Sequence, residues 1–117
     1  MFKNFFKPLL LLIFSFFLSA CGTSTKNMYY WKGYNYAIYD YLKNDNTSIS
    51  NQIEEMEKYF KNARKNQLPA APGAYAHMGL LLIQAGQLDA ARQQFLEEKK
   101  HFPESSSYID FLMKNRN

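Results

Sequence analysis

The 117-residue chain has one cysteine, two histidines and one tryptophan. With Cys21 alone it can close no internal disulfide and build no cysteine-rich metal centre. His77 and His101 lie far apart, and no His/Asp/Glu cluster at metal-ligand spacing accompanies them. A glycine-rich phosphate loop and a Gly-x-Ser-x-Gly nucleophile turn are both missing. Glu54, Glu55 and Glu57 read as a solvated helix face. The expectation is a non-enzymatic protein without metal or cofactor. Arginine is limited to Arg64, Arg92 and Arg116, too few and too scattered for a nucleic-acid surface. No stretch alternates apolar and polar residues as a half-buried strand would, which points to an all-α fold. No apolar run reaches the ~20 residues that span a bilayer.

What is present begins at the N-terminus. Lys3 and Lys7 supply positive charge, Leu9 to Leu18 are apolar apart from Ser15, and small Ser19 and Ala20 precede Cys21. This is the order of a secretory signal. Leu18-Ser19-Ala20-Cys21 resembles the lipobox of bacterial lipoproteins. The resemblance implies cleavage of residues 1–20, diacylglycerol on the Cys21 thiol and an N-acyl chain on its new amine. Lipidation also explains a lone cysteine in an exported chain, where even counts are usual. At ~0.8 kcal/mol per buried CH₂, two or more acyl chains anchor stably where one does not. Gly22 follows the cysteine in place of the aspartate that retains enterobacterial lipoproteins in the inner membrane. The expected location is therefore the outer membrane, on its periplasmic side.

Removing residues 1–20 lowers the formal excess charge from +4 to +2, because Lys3 and Lys7 leave with them. Residues 21–27 then form the lipidated cysteine and a polar tether, and residues 28–117 form the domain. The tether's six residues reach at most ~20 Å, which holds the domain close to the bilayer.

Within the domain, Trp31, Tyr34, Ile38, Tyr41 and Leu42 recur at helical spacing. Asn44 to Ser48 form a turn cluster that offers N-caps to a second helix carrying Ile53, Met56, Tyr59 and Phe60. Leu68 to Gly73 stop that helix. A third follows to about Ala85, a fourth runs from about Leu88 to Lys100, and a short helix over 105–115 acts as a cap. His77 is expected as a packed or half-exposed helix residue, and His101 as a partner of its helix dipole.

The third and fourth helices fit the tetratricopeptide pattern, whose period is about 34 residues. Tyr75, Met78, Gly79 and Leu82 occupy its first-helix slots, Ala91 and Phe95 its Ala-x₃-Phe pair, and Pro103 its closing proline. Gly79 and Ala91 are small where the two helices would cross. The best repeat is residues 72–105. A poorer copy starts at Trp31-x₂-Tyr34-Asn35-x₂-Ile38 and resumes, after an insertion, at Met56-x₃-Phe60 and Pro69. The fold expected is antiparallel helix pairs, tetratricopeptide-like, with a short C-terminal capping helix.

Two surfaces could carry function. Of seven aromatic residues between 29 and 41, Tyr29, Tyr36 and Tyr39 are left off the core face, and Tyr and Trp favour interfaces. The second surface is the inner face of a tetratricopeptide first helix, here Ala76, Leu80, Ile83 and Gln84. It is apolar and lacks the basic residues of a carboxylate clamp. It would take an apolar or helical segment unless the neighbouring helix fills it.

Several strings together resemble one family: Tyr30-Trp31-x-Gly33-Tyr34, Leu68-Pro69, Pro72-Gly73-x-Tyr75-Ala76, Gly79-Leu80-Leu81, Ala85-Gly86, Ala91-x₃-Phe95-x-x-Glu98-Lys99 and Phe102-Pro103-Glu104-Ser105. The chain is similar over roughly residues 28–113 to the small bacterial lipoproteins of domain of unknown function 4810. Members are often encoded beside a lipoprotein similar to the curli secretion channel. The resemblance therefore implies an adaptor in an envelope assembly, with a channel-like lipoprotein among its partners. It supplies no catalytic residue. A structural lipoprotein whose aromatic helix lies on the membrane is the alternative, and an accessory subunit of an enzyme or ligand-binding system is a third. The oligomeric state is open.

Overall fold

Small residues set where the two best-packed helices meet. In the computed structural model, which describes residues 2–17, 22, 26–43 and 47–115, α4 (Ala74–Gln84) and α5 (Leu88–His101) form an antiparallel hairpin. A side chain at Gly79 would put its Cβ 2.6 Å from the Phe95 ring, so only glycine lets that ring lie on the α4 backbone. Gly86 turns the chain between the two helices at φ 75°. α4 is apolar on almost every side because it is the central helix. Ala74, Ala76, His77, Met78, Gly79, Leu81 and Leu82 are all buried.

The flanking helices are amphipathic and cover it. α3 (Ile49–Lys65) presents Met56, Tyr59 and Ala63 to the core and its glutamates and lysines to water. Ser48 caps it, its Oγ accepting from the Asn51 N–H at 3.2 Å. α6 (Ser106–Lys114) follows a 3₁₀ turn at Pro103–Ser105 and buries Ile109 completely against the domain. Lys99 of α5 ties it down through Asp110 at 2.6 Å. Among the described residues the architecture is all-α, with no strand and one isolated parallel bridge between Tyr30 and Ala70.

α2 (Tyr34–Lys43) is shorter than the sequence pattern suggests. Trp31 and Leu42 were expected on its core face, but both are exposed, and the buried side narrows to Tyr34, with Ala37, Ile38 and Tyr41 half-covered. The cause is local. Tyr34 N–H returns to the Trp31 carbonyl at 3.1 Å, with Gly33 at φ 88° in the third position of the turn. A turn with positive φ there cannot be the helix interior, so α2 begins after it. The same turn recurs forty residues on. Ala74 N–H returns to the Ala71 carbonyl at 3.1 Å, and Pro72-Gly73 occupy the centre with Gly73 at φ 90°. Tyr30 and Ala70, the bridged pair, hold equivalent places before these turns. The internal correspondence is therefore Gly33 with Gly73, which differs from the alignment of Trp31 with Tyr75 that the aromatic slots suggest.

α1 (Lys3–Phe17) contains most of the apolar N-terminal run, and its large apolar side chains from Phe5 to Phe14 are exposed. Among the described residues no helix is long and apolar enough to cross a membrane.

Candidate functional site

The N-terminal segment is fastened to the loop before α4. Tyr30 N–H donates to the Pro69 carbonyl at 2.9 Å. Tyr59 spans the joint, donating its hydroxyl to the Tyr30 carbonyl at 2.6 Å and accepting from the buried Ala71 N–H at 2.7 Å. The Tyr34 and Tyr59 rings lie 5.6 Å apart, and burial raises the pKa of both hydroxyls. That of Tyr34 is pushed up to about 12, with the nearby Glu98 carboxylate adding to the effect.

Glu98 is the second fastening. It is only 2 % exposed, yet its carboxylate faces no cation in an ion pair among the described residues. Its partners are the backbone N–H groups at the start of α4: Gly73 donates to Oε1 at 2.8 Å and Ala76 to Oε2 at 3.3 Å. Helix starts have free N–H groups and a partial positive charge, so a carboxylate from α5 is a fitting cap. Tyr75 lies between Phe60 and His101, with ring centroids at 4.9 and 5.1 Å. His101 also reaches Glu97 at 3.2 Å.

The expected surface residues fall in different places. Tyr36 and Tyr39 project from α2 and are 71 % and 61 % exposed. Tyr29 is half-buried, its ring 5.7 Å from Phe102 and 6.4 Å from Trp31, so it forms part of the seam that closes the domain. On α4, Ala76 is buried and has no surface to offer a partner. Leu80 and Ile83 are half-buried against the core, and Gln84 donates its Nε2 to the Tyr41 hydroxyl at 3.0 Å. Tyr41 also sets its ring edge-on to His77 at 5.0 Å. Tyr41 of α2 thus meets α4 at His77 and Gln84, while Gln84 itself stays exposed. Cys21 and the expected cleavage site at Leu18-Ser19-Ala20 lie outside the described residues.

Sequence reasoning placed Tyr59 on the core stripe and His77 as a packed helix residue, but missed the hydroxyl bridge of Tyr59 and the capping role of Glu98. His77 is buried, and its imidazole pKa falls to about 4 through loss of solvent. The signal for Glu98 was available: Ala91, Phe95, Glu98 and Phe102 share one helical stripe, and all are buried. Among the described residues no three His, Cys, Asp or Glu side chains gather where a metal could be held.

Comparison with known proteins finds one family. The model described as Domain of unknown function (DUF4810) matches residues 28–112. Neither a curated protein nor a solved structure matches significantly.

Proposed function

The chain belongs to the family described as Domain of unknown function (DUF4810), and from that premise we propose that it is a lipid-anchored adaptor in an envelope assembly. In this reading residues 1–20 are removed and Cys21 carries diacylglycerol and an N-acyl chain. The tether of residues 22–27 then holds the helical domain near the periplasmic face of the outer membrane. Residues 72–105 are a tetratricopeptide-type unit, with Gly79 and Phe95 at its helix crossing.

The observation that carries the adaptor reading is the exposure of Tyr36 and Tyr39 on one helix. Both sit on α2, whose other side is fixed by Tyr34 and Tyr41. Rigidly mounted tyrosines present large contact area at small entropic cost, which suits a protein interface.

Two measurements on the full chain in its own envelope test the reading. Metabolic labelling with a fatty acid should mark the wild type and leave Cys21→Ser unmarked and unprocessed. A photo-crosslinking residue at position 36 or 39 should join the domain to a specific envelope protein at native expression. Label entering Cys21→Ser would overturn the anchor. Recovery of the uncrosslinked chain alone would overturn the adaptor.

A further inference from the structure

An exposed apolar edge remains where the tether enters the domain. Trp31 is the only tryptophan of the chain and is 42 % exposed, and Met28, three positions nearer Cys21, is 73 % exposed. The indole is not loose. It lies edge-on to Tyr29 at 6.4 Å and tilted against Tyr34 at 6.1 Å, so part of the ring is packed and the rest is presented in a fixed place.

Charge in this stretch has one sign. Residues 21–39 contain two cations, Lys26 and Lys32, and no acidic residue, the first being Asp40. From residue 40 onward the two signs balance, so the +2 excess left after residues 1–20 sits entirely beside the tether. Both lysines are exposed and neither forms an ion pair among the described residues. Lys32 also borders the cleft between α2 and α3, where Asp40 and Glu55 temper its charge, so Lys26 is the freer of the two. The fold then fixes where this edge lies. Tyr29 rests on Phe102, which ends α5, and Tyr30 is bonded to Pro69 before α4. The segment therefore sits at the end of the α4–α5 hairpin opposite the Gly86 turn, and the 14 residues of α5 separate the two ends by ~21 Å.

We propose that this edge, Met28 and Trp31 flanked by Lys26 and Lys32, docks on the surface of an anionic phospholipid bilayer. The domain then stands with its Phe102 end on the membrane and its Gly86 turn away from it. The proposal rests on the lipid anchor of the preceding reading. An indole suits headgroup depth, where its ring leaves water and its N–H keeps a partner. One ring and two lysines would hold a free protein only weakly. The chain from Cys21 to Met28 reaches at most ~25 Å, so anchoring keeps the edge beside the bilayer. The contact becomes intramolecular, at an effective concentration on the order of millimolar. Each lysine near an anionic surface strengthens it about fivefold. No residue of α2 takes part, so Tyr36 and Tyr39 keep the partner role given them above.

The test is fluorescence of the full chain, lipidated in its host, purified and placed in vesicles of phosphatidylethanolamine with phosphatidylglycerol. Trp31 is then the only indole present. Phospholipids brominated near the headgroup should quench it at least about twofold more than those brominated at the chain ends, as befits interfacial depth. Trp31→Phe with Leu88→Trp moves the indole to the exposed far end of α5, where bromine should leave it untouched and aqueous acrylamide should reach it more readily. Lys26→Gln with Lys32→Gln, or phosphatidylcholine in place of phosphatidylglycerol, should lower the bromine quenching about twofold or more. Chains that float with the vesicles while Trp31 stays unquenched would overturn the docking and leave the anchor standing. Chains that do not float would overturn the anchor, and this proposal with it. Equal quenching at positions 31 and 88, or indifference to both charge changes, would also overturn it. None of these outcomes bears on crosslinking at positions 36 and 39.

Discussion

Tyr59 donates its hydroxyl to the Tyr30 carbonyl at 2.6 Å, and this bond joins the N-terminal segment to a helix twenty-nine positions further along the chain. The same oxygen accepts from the Ala71 N–H, so one atom holds three pieces of backbone together. Tyr59→Phe keeps the ring packed among Tyr30, Tyr34 and Phe60 but removes both bonds. The Ala71 N–H is then buried without a partner. The expected loss is about 2 kcal/mol, within the range for an orphaned buried donor. Hydrogen exchange should quicken at residues 30 and 71 before it does in α5. An unchanged melting temperature would show that the joint contributes nothing.

Glu98 gives a second, sharper comparison. Glu98→Gln retains the shape and one acceptor oxygen but loses the charge that attracts the helix start. Glu98→Ala loses both bonds and leaves a cavity. Charge-assisted bonds contribute about 1.5–3 kcal/mol each at the upper end. The expected order in denaturant titrations is wild type, then Gln at about 1 kcal/mol lower, then Ala at about 3 kcal/mol lower. If Gln matches the wild type, the carboxylate's charge has no part in capping α4.

Helix existence was legible because each amphipathic run is long and its stops are strong: Ser48 before α3, Pro69 and Gly73 between α3 and α4, Gly86 before α5, Pro103 after it. The start of α2 was less so. Periodicity carried the helix back through Trp31, whereas the positive φ of Gly33 breaks it first. The pairing of Tyr30 with Pro69 and Ala70 is a contact across the chain, and local pattern holds no trace of it. Tyr29 looked surplus by counting faces on a lone helix. It is partly covered by Phe102, a residue that only the fold brings near. Ala76 was placed on a binding face by analogy, but in this chain the α4 start is enclosed by Glu98.

Gly79→Ala opposes two local effects. Alanine favours a helix over glycine by about 1 kcal/mol. Its methyl would meet the Phe95 ring at 2.6 Å, and overpacking of a core typically costs about 1–3 kcal/mol. Because Phe95 is itself buried and cannot swing aside, a net loss of about 1–2 kcal/mol is expected. Paired with Phe95→Leu, the same change should recover most of that loss. A stabilised single variant would mean the helices can separate freely.

His77 makes stability depend on pH. In the unfolded chain it takes a proton near pH 6.5, whereas in the fold burial holds that back to about 4. Between those values the unfolded state binds more protons, so stability present above pH 6.5 falls as pH drops toward 4. Allowing for partial solvent screening, this amounts to about 2 kcal/mol. His77→Phe should flatten the curve in that window while leaving the carboxylate region below it unchanged. An identical slope in the variant would assign the dependence to other groups.

Tyr36 and Tyr39 separate fold from partner. Their exposure means that replacing both with serine removes little packing, so the melting temperature should shift by about 1 °C or less, as for surface changes within ±0.5 kcal/mol. Interfaces behave differently, since buried aromatic anchors there commonly contribute about 2 kcal/mol or more each. The double variant should therefore fold, carry lipid on Cys21 and lose at least about tenfold in recovery of the envelope partner. Tyr108→Ser on α6 is an exposed aromatic control and should keep recovery intact. Loss with Tyr108→Ser and not with the α2 pair would move the contact surface to the other end of the domain.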